Sequence, residues 1–107
     1  MTSAIDVVVA DSVNLYFTEG EDEILSIPAN GSGPPVVLVS GLSGPLELAT
    51  DGVSVYWVDA TTISKVPITG GAATTLYSTG GDAAFIAVDG TSVFWTNSWE
   101  ILKLTPK

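Results

Sequence analysis

The stretch ATDGVSVYWVD at residues 49–59 decides the fold, because the same order of residue types returns twice elsewhere in the chain. Residues 87–97 read AVDGTSVFWTN, and residues 9–19 read VADSVNLYFTE without the glycine. The aromatic centres of the three copies follow each other at steps of 40 and 38 residues. A period of this length indicates a repeat architecture.

A second repeated segment follows each aromatic centre in phase with it. It reads ILSIP at 24–28, ISKVP at 63–67 and ILKLTP at 101–106. A third segment, PVVLV at 35–39 and ATTLY at 73–77, occurs only in the first two units, each time after a glycine-rich stretch. Because two independent segments keep the same phase, the three units are copies of one structural unit.

Each unit consists of short runs rich in Val, Ile, Thr, Tyr and Trp, divided by Asp-Gly, Gly-Gly or Ser-Gly pairs. This pattern predicts β-strands joined by tight turns, and no helical period is visible. The predicted strands are 5–10, 13–18, 23–28, 35–39, 46–50, 53–58, 62–67, 73–77, 84–88, 92–96 and 100–105.

Four strands at a period near 40 residues are typical of the blade of a β-propeller, in which sheets pack face to face around an axis. We therefore predict an all-β chain, one propeller segment over residues 1–107, with blades at about 5–39, 46–77 and 84–105. The first two blades are complete and the third has three strands. A β-sandwich is the alternative, although it does not require an in-phase repeat.

The pieces VYWVD at 55–59 and VFWTN at 93–97, each preceded by Asp-Gly and followed by an Ile-containing strand, resemble the YWTD-type repeats of six-bladed propellers. Val58 and Asn97 depart from that motif, and the first copy reads YFTE at 16–19. The resemblance implies that the aromatic rings fill gaps between blades and that the acid bonds to backbone. It therefore implies a fold and no particular activity.

Fewer than three blades cannot close a ring, and the open ends expose an apolar blade face and unpaired strand edges. The count favours a homodimer in which two copies form one six-bladed propeller with two identical seams. Residues Met1 to Ile5 of the other copy then supply the twelfth strand, or the third blade keeps three strands. A trimer of eight or nine blades and a truncated fragment are the alternatives.

Composition excludes several function classes. The net charge of −9 repels a phosphate backbone and argues against nucleic acid, and no apolar run reaches the roughly 18 residues of a membrane span. Cysteine and histidine are absent, which removes the thiol nucleophile, the imidazole base and the usual ligands of transition metals. The first residues show no signal peptide, so the compartment is unknown, with the cytoplasm as the default.

The candidate site residues are Glu47, Asp59, Asn97 and Trp99. Glu47 stands on a predicted innermost strand where the other units have Val7 and Phe85, so its carboxylate needs channel water or a cation. It is the candidate ligand for Ca²⁺ or Mg²⁺, which prefer oxygen ligands, although no cofactor is required by the pattern. Trp99 stands on a predicted polar loop, and an exposed ring there suits a sugar, a peptide or a protein surface.

The turn residues carry a structural interpretation beside a functional one. The acids of Asp51-Gly52 and Asp89-Gly90, with Asp11 as the third, are expected at hairpin turns. Asp59 and Asn97 end their strands at equivalent positions, where backbone bonding or a ligand role is open.

Three functions follow as hypotheses. The first is a non-enzymatic binding or scaffold module of unknown ligand, because repeated loops offer repeated contacts. The second is a calcium-dependent, lactonase-like propeller hydrolase, which the resemblance permits but which needs several acids around the axis. The third is a structural propeller without a ligand.

Overall fold

The computed structural model describes residues 5–20, 22–42, 44–59, 61–81 and 83–107. Within them the chain forms strands and no helix. The strands are β1 (Ile5–Ala10), β2 (Asn14–Glu19), β3 (Glu23–Pro28), β4 (Val36–Val39), β5 (Glu47–Thr50), β6 (Ser54–Val58), β7 (Thr62–Pro67), β8 (Thr74–Ser78), β9 (Ile86–Val88), β10 (Val93–Thr96) and β11 (Ile101–Leu104).

The described strands pair into three antiparallel sheets in which neighbours in sequence are neighbours in space. Sheet 1 has the order β1-β2-β3-β4, sheet 2 has β5-β6-β7-β8, and sheet 3 has β9-β10-β11. The prediction of an all-β chain with two four-stranded sheets and a three-stranded third is confirmed. Every strand lies within two residues of the bounds expected from the sequence.

The middle sheet shows why the aromatic repeat has no polar face. Its strand β6 is buried along its whole length. Val55 and Trp57 pack toward sheet 1, and the alternating Tyr56 and Val58 pack toward sheet 3. Successive side chains of a strand point to opposite faces, so a sheet covered on both sides needs apolar residues at every position.

Two apolar clusters hold the three sheets together. The boundary between sheets 1 and 2 contains Tyr16, Ile24, Leu38, Leu48, Val55, Trp57 and Val66. The boundary between sheets 2 and 3 contains Tyr56, Val58, Ile63, Ala83, Val93 and Trp95. The Tyr77 ring crosses the second boundary, with its centroid 5.2 Å from that of the Trp95 ring.

The first strands of the sheets are neighbours: β1 contacts β5, and β5 contacts β9. This places β1, β5 and β9 along one inner line, with the later strands of each sheet farther out. Such an arrangement is that of blades around an axis, and a sandwich of two sheets is excluded as a description of the described residues.

The inner strand β9 is covered on fewer sides than its apolar sequence predicts. The continuous apolar run at 85–88 suggests that both faces of β9 are covered, yet Phe85 is 63% exposed and Ala87 is exposed. The reason is that sheet 3 has a neighbouring sheet on one side only. Its second face is open.

The supply of a twelfth strand by the N terminus concerns residues 1–4, which lie outside the described residues. Within the described residues there is no helix with the length and apolar character needed to cross a membrane.

Candidate binding surfaces

The strand directions divide the loops between two ends of the sheets. We call the end with the turns at residues 11–13, 51–53 and 89–91 the lower rim. The end where β2, β6 and β10 finish and β3, β7 and β11 begin is the upper rim. Glu47 begins β5 at the upper rim, which is also where Asp59, Asn97 and Trp99 lie.

An aspartate fixes each turn of the lower rim. The Oδ1 atom of Asp51 accepts hydrogen bonds from the amides of Val53 and Ser54, both at 2.9 Å. Asp11 and Asp89 accept the equivalent pairs of amide bonds in their own turns. The side chain thus replaces part of the backbone bonding that a tight turn leaves unmade.

The glycine of the Asp-Gly pairs matters less than the sequence suggests. Gly52 has a φ of 84°, a conformation that favours glycine, but Gly90 is not among the glycines with positive φ, and the first copy has Ser12. The aspartate is therefore the element that all three turns share.

In sheets 1 and 2, a tyrosine hydroxyl also donates a hydrogen bond to the turn aspartate. The Tyr16 hydroxyl donates to Oδ2 of Asp11 at 2.6 Å, and the Tyr56 hydroxyl donates to Oδ2 of Asp51 at 3.2 Å. The Tyr16 bond, with the backbone bonds, lowers the pKa of Asp11 despite its partial burial. Burial, then the bond to Asp11, raises the pKa of Tyr16.

Asp51 has a further partner, because Lys107, which follows the last strand of sheet 3, forms an ion pair with it. Burial by itself raises the pKa of Asp51, but the bonds from Lys107, Ser54 and Val53 outweigh it and lower the pKa to about 2. Burial, followed by the charge of Asp51, raises the pKa of Tyr56 to about 12.

Two of the predicted site residues fix turns of the upper rim in the same way. Asp59 Oδ1 accepts from the amides of Thr61 and Thr62, at 2.9 and 2.7 Å. Asn97 Oδ1 accepts from the amides of Trp99 and Glu100, both at 2.8 Å. Both residues bond to backbone, and a ligand role for either of them stays a prediction.

Trp99 is the most exposed large apolar residue of the described chain, with 90% of its surface accessible. Its backbone is held by Asn97 through the bond to the Trp99 amide. The ring therefore stands on a fixed turn at the upper rim. A large, rigid aromatic surface of this kind loses little conformational freedom on binding.

Glu47 is half-buried at the first position of the inner strand β5, paired with Val58 of β6. It is the single acid of that strand. Among the described residues, no three acidic side chains come together at a spacing that suits a metal ion. The cation role of Glu47 stays a prediction.

The upper rim is acidic as a whole. The described acids at this end are Glu19, Asp22, Glu23, Glu47, Asp59 and Glu100. The three basic residues of the chain lie elsewhere: Lys65 and Lys107 are bonded to each other near the lower rim, and Lys103 lies 5.8 Å from the Phe94 ring centroid on sheet 3.

The outer surface of sheet 3 is an apolar face without a neighbouring sheet. We call it the third-sheet face; it consists of Phe85, Ala87, Phe94, Thr96, Ile101 and Lys103. Ile101 is 78% exposed and Phe85 is 63% exposed. An open groove of about 240 Å³ runs along this face, and its lining includes Phe85, Phe94, Thr96 and Ile101.

The outer surface of sheet 1 is the matching open face at the other end of the stack. We call it the first-sheet face; it consists of Val8, Leu15, Phe17, Leu25, Ile27 and Val37. Val8 is 54% exposed and Val37 is 49% exposed, whereas Phe17 and Leu25, paired across β2 and β3, shelter each other.

Sequence reasoning predicted open ends but named none of the residues that form them. The sequence carries no signal for them, because Phe94 of β10 is equivalent to the buried Tyr56 of β6 and differs from it only in what lies beside it. The ion pair of Lys107 was missed because nothing in the local sequence places the last residue beside Asp51.

Comparison with known proteins supports the fold. No family model matches the chain, and no curated protein matches it. Among solved structures, the crystal structure of a nidogen/laminin complex matches with a TM-score of 0.79 at 19% identity, over 95% of this chain. The matched chain is a β-propeller, and this chain spans 43% of its length. The three sheets are therefore propeller blades.

Proposed function

We propose that this chain is a non-enzymatic binding module, half of a six-bladed propeller completed by a second copy, whose upper rim is the binding face. The observation that carries the binding role is Trp99, a tryptophan 90% exposed on a turn that Asn97 holds in place. Exposed tryptophans are rare on surfaces without a partner and frequent at the centre of interfaces.

The equivalent position in sheet 2 supports the accessibility of Trp99 in a closed ring. That position is Thr61, two residues after Asp59 as Trp99 is two residues after Asn97. Thr61 stays exposed although sheet 2 has sheet 3 packed against it. A neighbour packed on sheet 3 in the same way leaves Trp99 free.

The charge of the upper rim favours a basic ligand. Six described acids lie at this end, and none of the three lysines does. Such a field attracts a positively charged protein or peptide and speeds its association, more strongly at low ionic strength. The solved structure similar to this chain is, by its title, a complex of two proteins.

Closure by a second copy rests on two observations. The chain has three blades with an uncovered apolar face at each end, and it spans 43% of the matched propeller chain. Two copies supply six blades and cover all four open faces, and a two-fold axis makes the two seams identical.

The test is a binding screen of the purified chain against basic peptides, protein arrays and glycan arrays, repeated with the Trp99→Ala variant. We expect a basic ligand whose binding falls at least tenfold in Trp99→Ala and weakens with salt. Val53→Ala is the matched control, because Val53 is also an exposed apolar turn residue, 70% accessible, but lies at the lower rim.

Other outcomes separate the remaining hypotheses. Glycan binding that depends on Trp99 makes the ligand a carbohydrate. Calcium-dependent hydrolysis of lactones or esters, lost in Glu47→Gln, contradicts the non-enzymatic role. A closed propeller with no ligand in any screen supports a structural one.

A further inference from the structure

We infer that the third-sheet face packs on the first-sheet face of a second copy, in the same register as the two boundaries inside the chain. This rests on the closure proposed above and specifies which residues form the seam. The occupant is a second copy, because the residues that the seam requires on the other side are those of the first-sheet face.

The internal boundaries define what each side of a seam contributes. At the first boundary, Tyr16 and Ile24 of sheet 1 lie in one cluster with Val55 and Trp57 of sheet 2. At the second, Tyr56 and Ile63 of sheet 2 lie in one cluster with Val93 and Trp95 of sheet 3. One side thus gives an aromatic ring and an isoleucine. The other gives an aliphatic residue and an aromatic ring two positions later.

The two open faces carry the same residue types at the same positions. On sheet 3, Phe94 stands where Tyr16 and Tyr56 do. Ile101, paired with Thr96, is in the place of Ile24 and Ile63. On sheet 1, Leu15 and Phe17 stand at the positions of Val55 and Trp57.

The two strands that flank the aromatic strand, β1 and β3, keep the same correspondence with the other sheets. Val8 pairs with Phe17 as Leu48 pairs with Trp57 and Ile86 pairs with Trp95. Ile27, on β3, stands where Val66 and Leu104 do on β7 and β11. The first-sheet face is therefore built like the faces that sheets 2 and 3 already bury.

A hydrogen bond donated by a lysine side chain is expected across the seam. Lys65 of sheet 2 donates from Nζ to the carbonyl oxygen of Lys107 in sheet 3, across the second boundary. Lys103 is the equivalent of Lys65. Ala29 is the equivalent of Lys107, because the amides of these two residues donate to the carbonyl oxygens of the equivalent turn residues Val13 and Thr91. The seam thus brings Lys103 to the Ala29 carbonyl of the second copy.

One copy cannot bring its own two faces together, because three of six blades cover half a ring and the faces lie at opposite ends of the stack. Two copies bring each third-sheet face onto a first-sheet face. Each seam joins two unlike faces, and the two-fold axis makes the two seams identical, so both are lost together when either face is changed in every copy.

The experiment measures the solution mass of the chain without ligand, by sedimentation or light scattering over a concentration series. We expect a mass of two chains, and a monomer for both Ile101→Arg and Val8→Arg. Both residues are more than half exposed in the single chain, so each variant keeps its sheets, which circular dichroism checks. Val53→Arg changes a residue that is also more than half exposed but lies on neither face, and it keeps the mass of two chains.

Mixing the two variants tests the pairing of unlike faces. The Ile101→Arg chain retains an intact first-sheet face, and the Val8→Arg chain retains an intact third-sheet face. One native seam forms between them, so the mixture recovers pairs that neither variant forms alone. Pairing through like faces predicts instead that one of the two variants dimerises by itself.

A gain-of-function variant tests the register. Lys107 of sheet 3 forms its ion pair with Asp51 of sheet 2 across the internal boundary. Ala29→Lys places a lysine at the equivalent position facing Asp89 of the other copy. We expect the dimer dissociation constant to fall by about fivefold at low salt, and Asp89→Asn, which keeps the turn oxygen, to abolish the gain.

The outcomes distinguish the proposals. A monomer at every concentration overturns both the closure and the seam, and a Trp99-dependent ligand bound by that monomer leaves the binding role standing. A dimer whose mass is unchanged in Ile101→Arg and Val8→Arg overturns the seam alone.

Discussion

Lys107, the last residue of the chain, forms an ion pair with Asp51 across the boundary between sheets 3 and 2, with Nζ 2.6 Å from Oδ2. Asp51 also fixes its own turn through Oδ1 and accepts a bond from Tyr56. One carboxylate thus joins a turn, a buried aromatic residue and the next blade. Since its two oxygens have separate partners, substitutions can remove one set of bonds and keep the other.

The ion pair predicts acid sensitivity between pH 4 and pH 2. The pKa of Asp51 is about 2 in the folded chain against 3.8 in the reference state, so the unfolded chain binds its proton first as pH falls. The stabilisation is complete above about pH 4 and is lost as pH drops through the folded value. The measurement is the free energy of unfolding by denaturant from pH 5 to pH 2.

Asp51→Asn is the matched variant for that measurement, because it keeps an oxygen for the turn and removes the charge. We expect it to lower the free energy of unfolding by about 0.5–1 kcal/mol at pH 6 and to flatten the acid limb. Equal pH dependence in the two chains contradicts the assignment to Asp51.

The phenol of Tyr56 should ionise at a higher pH than an ordinary tyrosine. Its pKa is about 12, and the second cause of that shift is the charge of Asp51. Ultraviolet titration of the tyrosinate band, compared with the Tyr56→Phe variant, isolates this group. Asp51→Asn should bring the titration to lower pH without restoring the ordinary value, since burial remains. A Tyr56 midpoint near 10 in the parent chain contradicts the contact.

The turn bonds of Asp59 predict a difference between two small substitutions. Asp59→Ala removes both amide bonds to Oδ1 and should lower the free energy of unfolding by about 1–2 kcal/mol. Asp59→Asn keeps the accepting oxygen and should cost less than half as much, as Asn97 illustrates in the equivalent turn. Equal losses in the two variants would falsify the role of Oδ1.

Two equivalent isoleucines predict different costs for the same deletion of a methyl group. Ile63 is fully buried between sheets 2 and 3, and Ile63→Val should cost about 0.5–1.5 kcal/mol. Ile101 stands at the same position of sheet 3 but is 78% exposed, so Ile101→Val should cost under about 0.5 kcal/mol in dilute solution.

Protein concentration separates the two isoleucine variants further. If the proposed seam forms, the cost of Ile101→Val rises toward that of Ile63→Val as the chain is concentrated. Denaturant midpoints at two concentrations decide this, and a cost for Ile101→Val that matches Ile63→Val in dilute solution contradicts the exposed position.

Much of the fold could be predicted from the sequence because the repeat is local. The copies at 49–59 and 87–97 place a turn, a buried strand and a second turn at fixed offsets, and the structure confirms the strands. The candidate residues were harder. Asp59 and Asn97 have the same polar types whether they bind a ligand or a backbone amide, and their partners lie within three residues in both cases.

The sequence by itself determined the strands, the three units and the aspartate turns, since each depends on contacts within about 30 residues of chain. Only the tertiary structure decided which faces are covered, because Phe94 and Tyr56 occupy equivalent places in sequence, yet one faces a groove and the other a neighbouring sheet. Likewise, only packing of sheet 3 on sheet 2 brings Lys107 to Asp51. Burial and long-range pairing depend on which neighbour is present, and that information lies outside any one repeat.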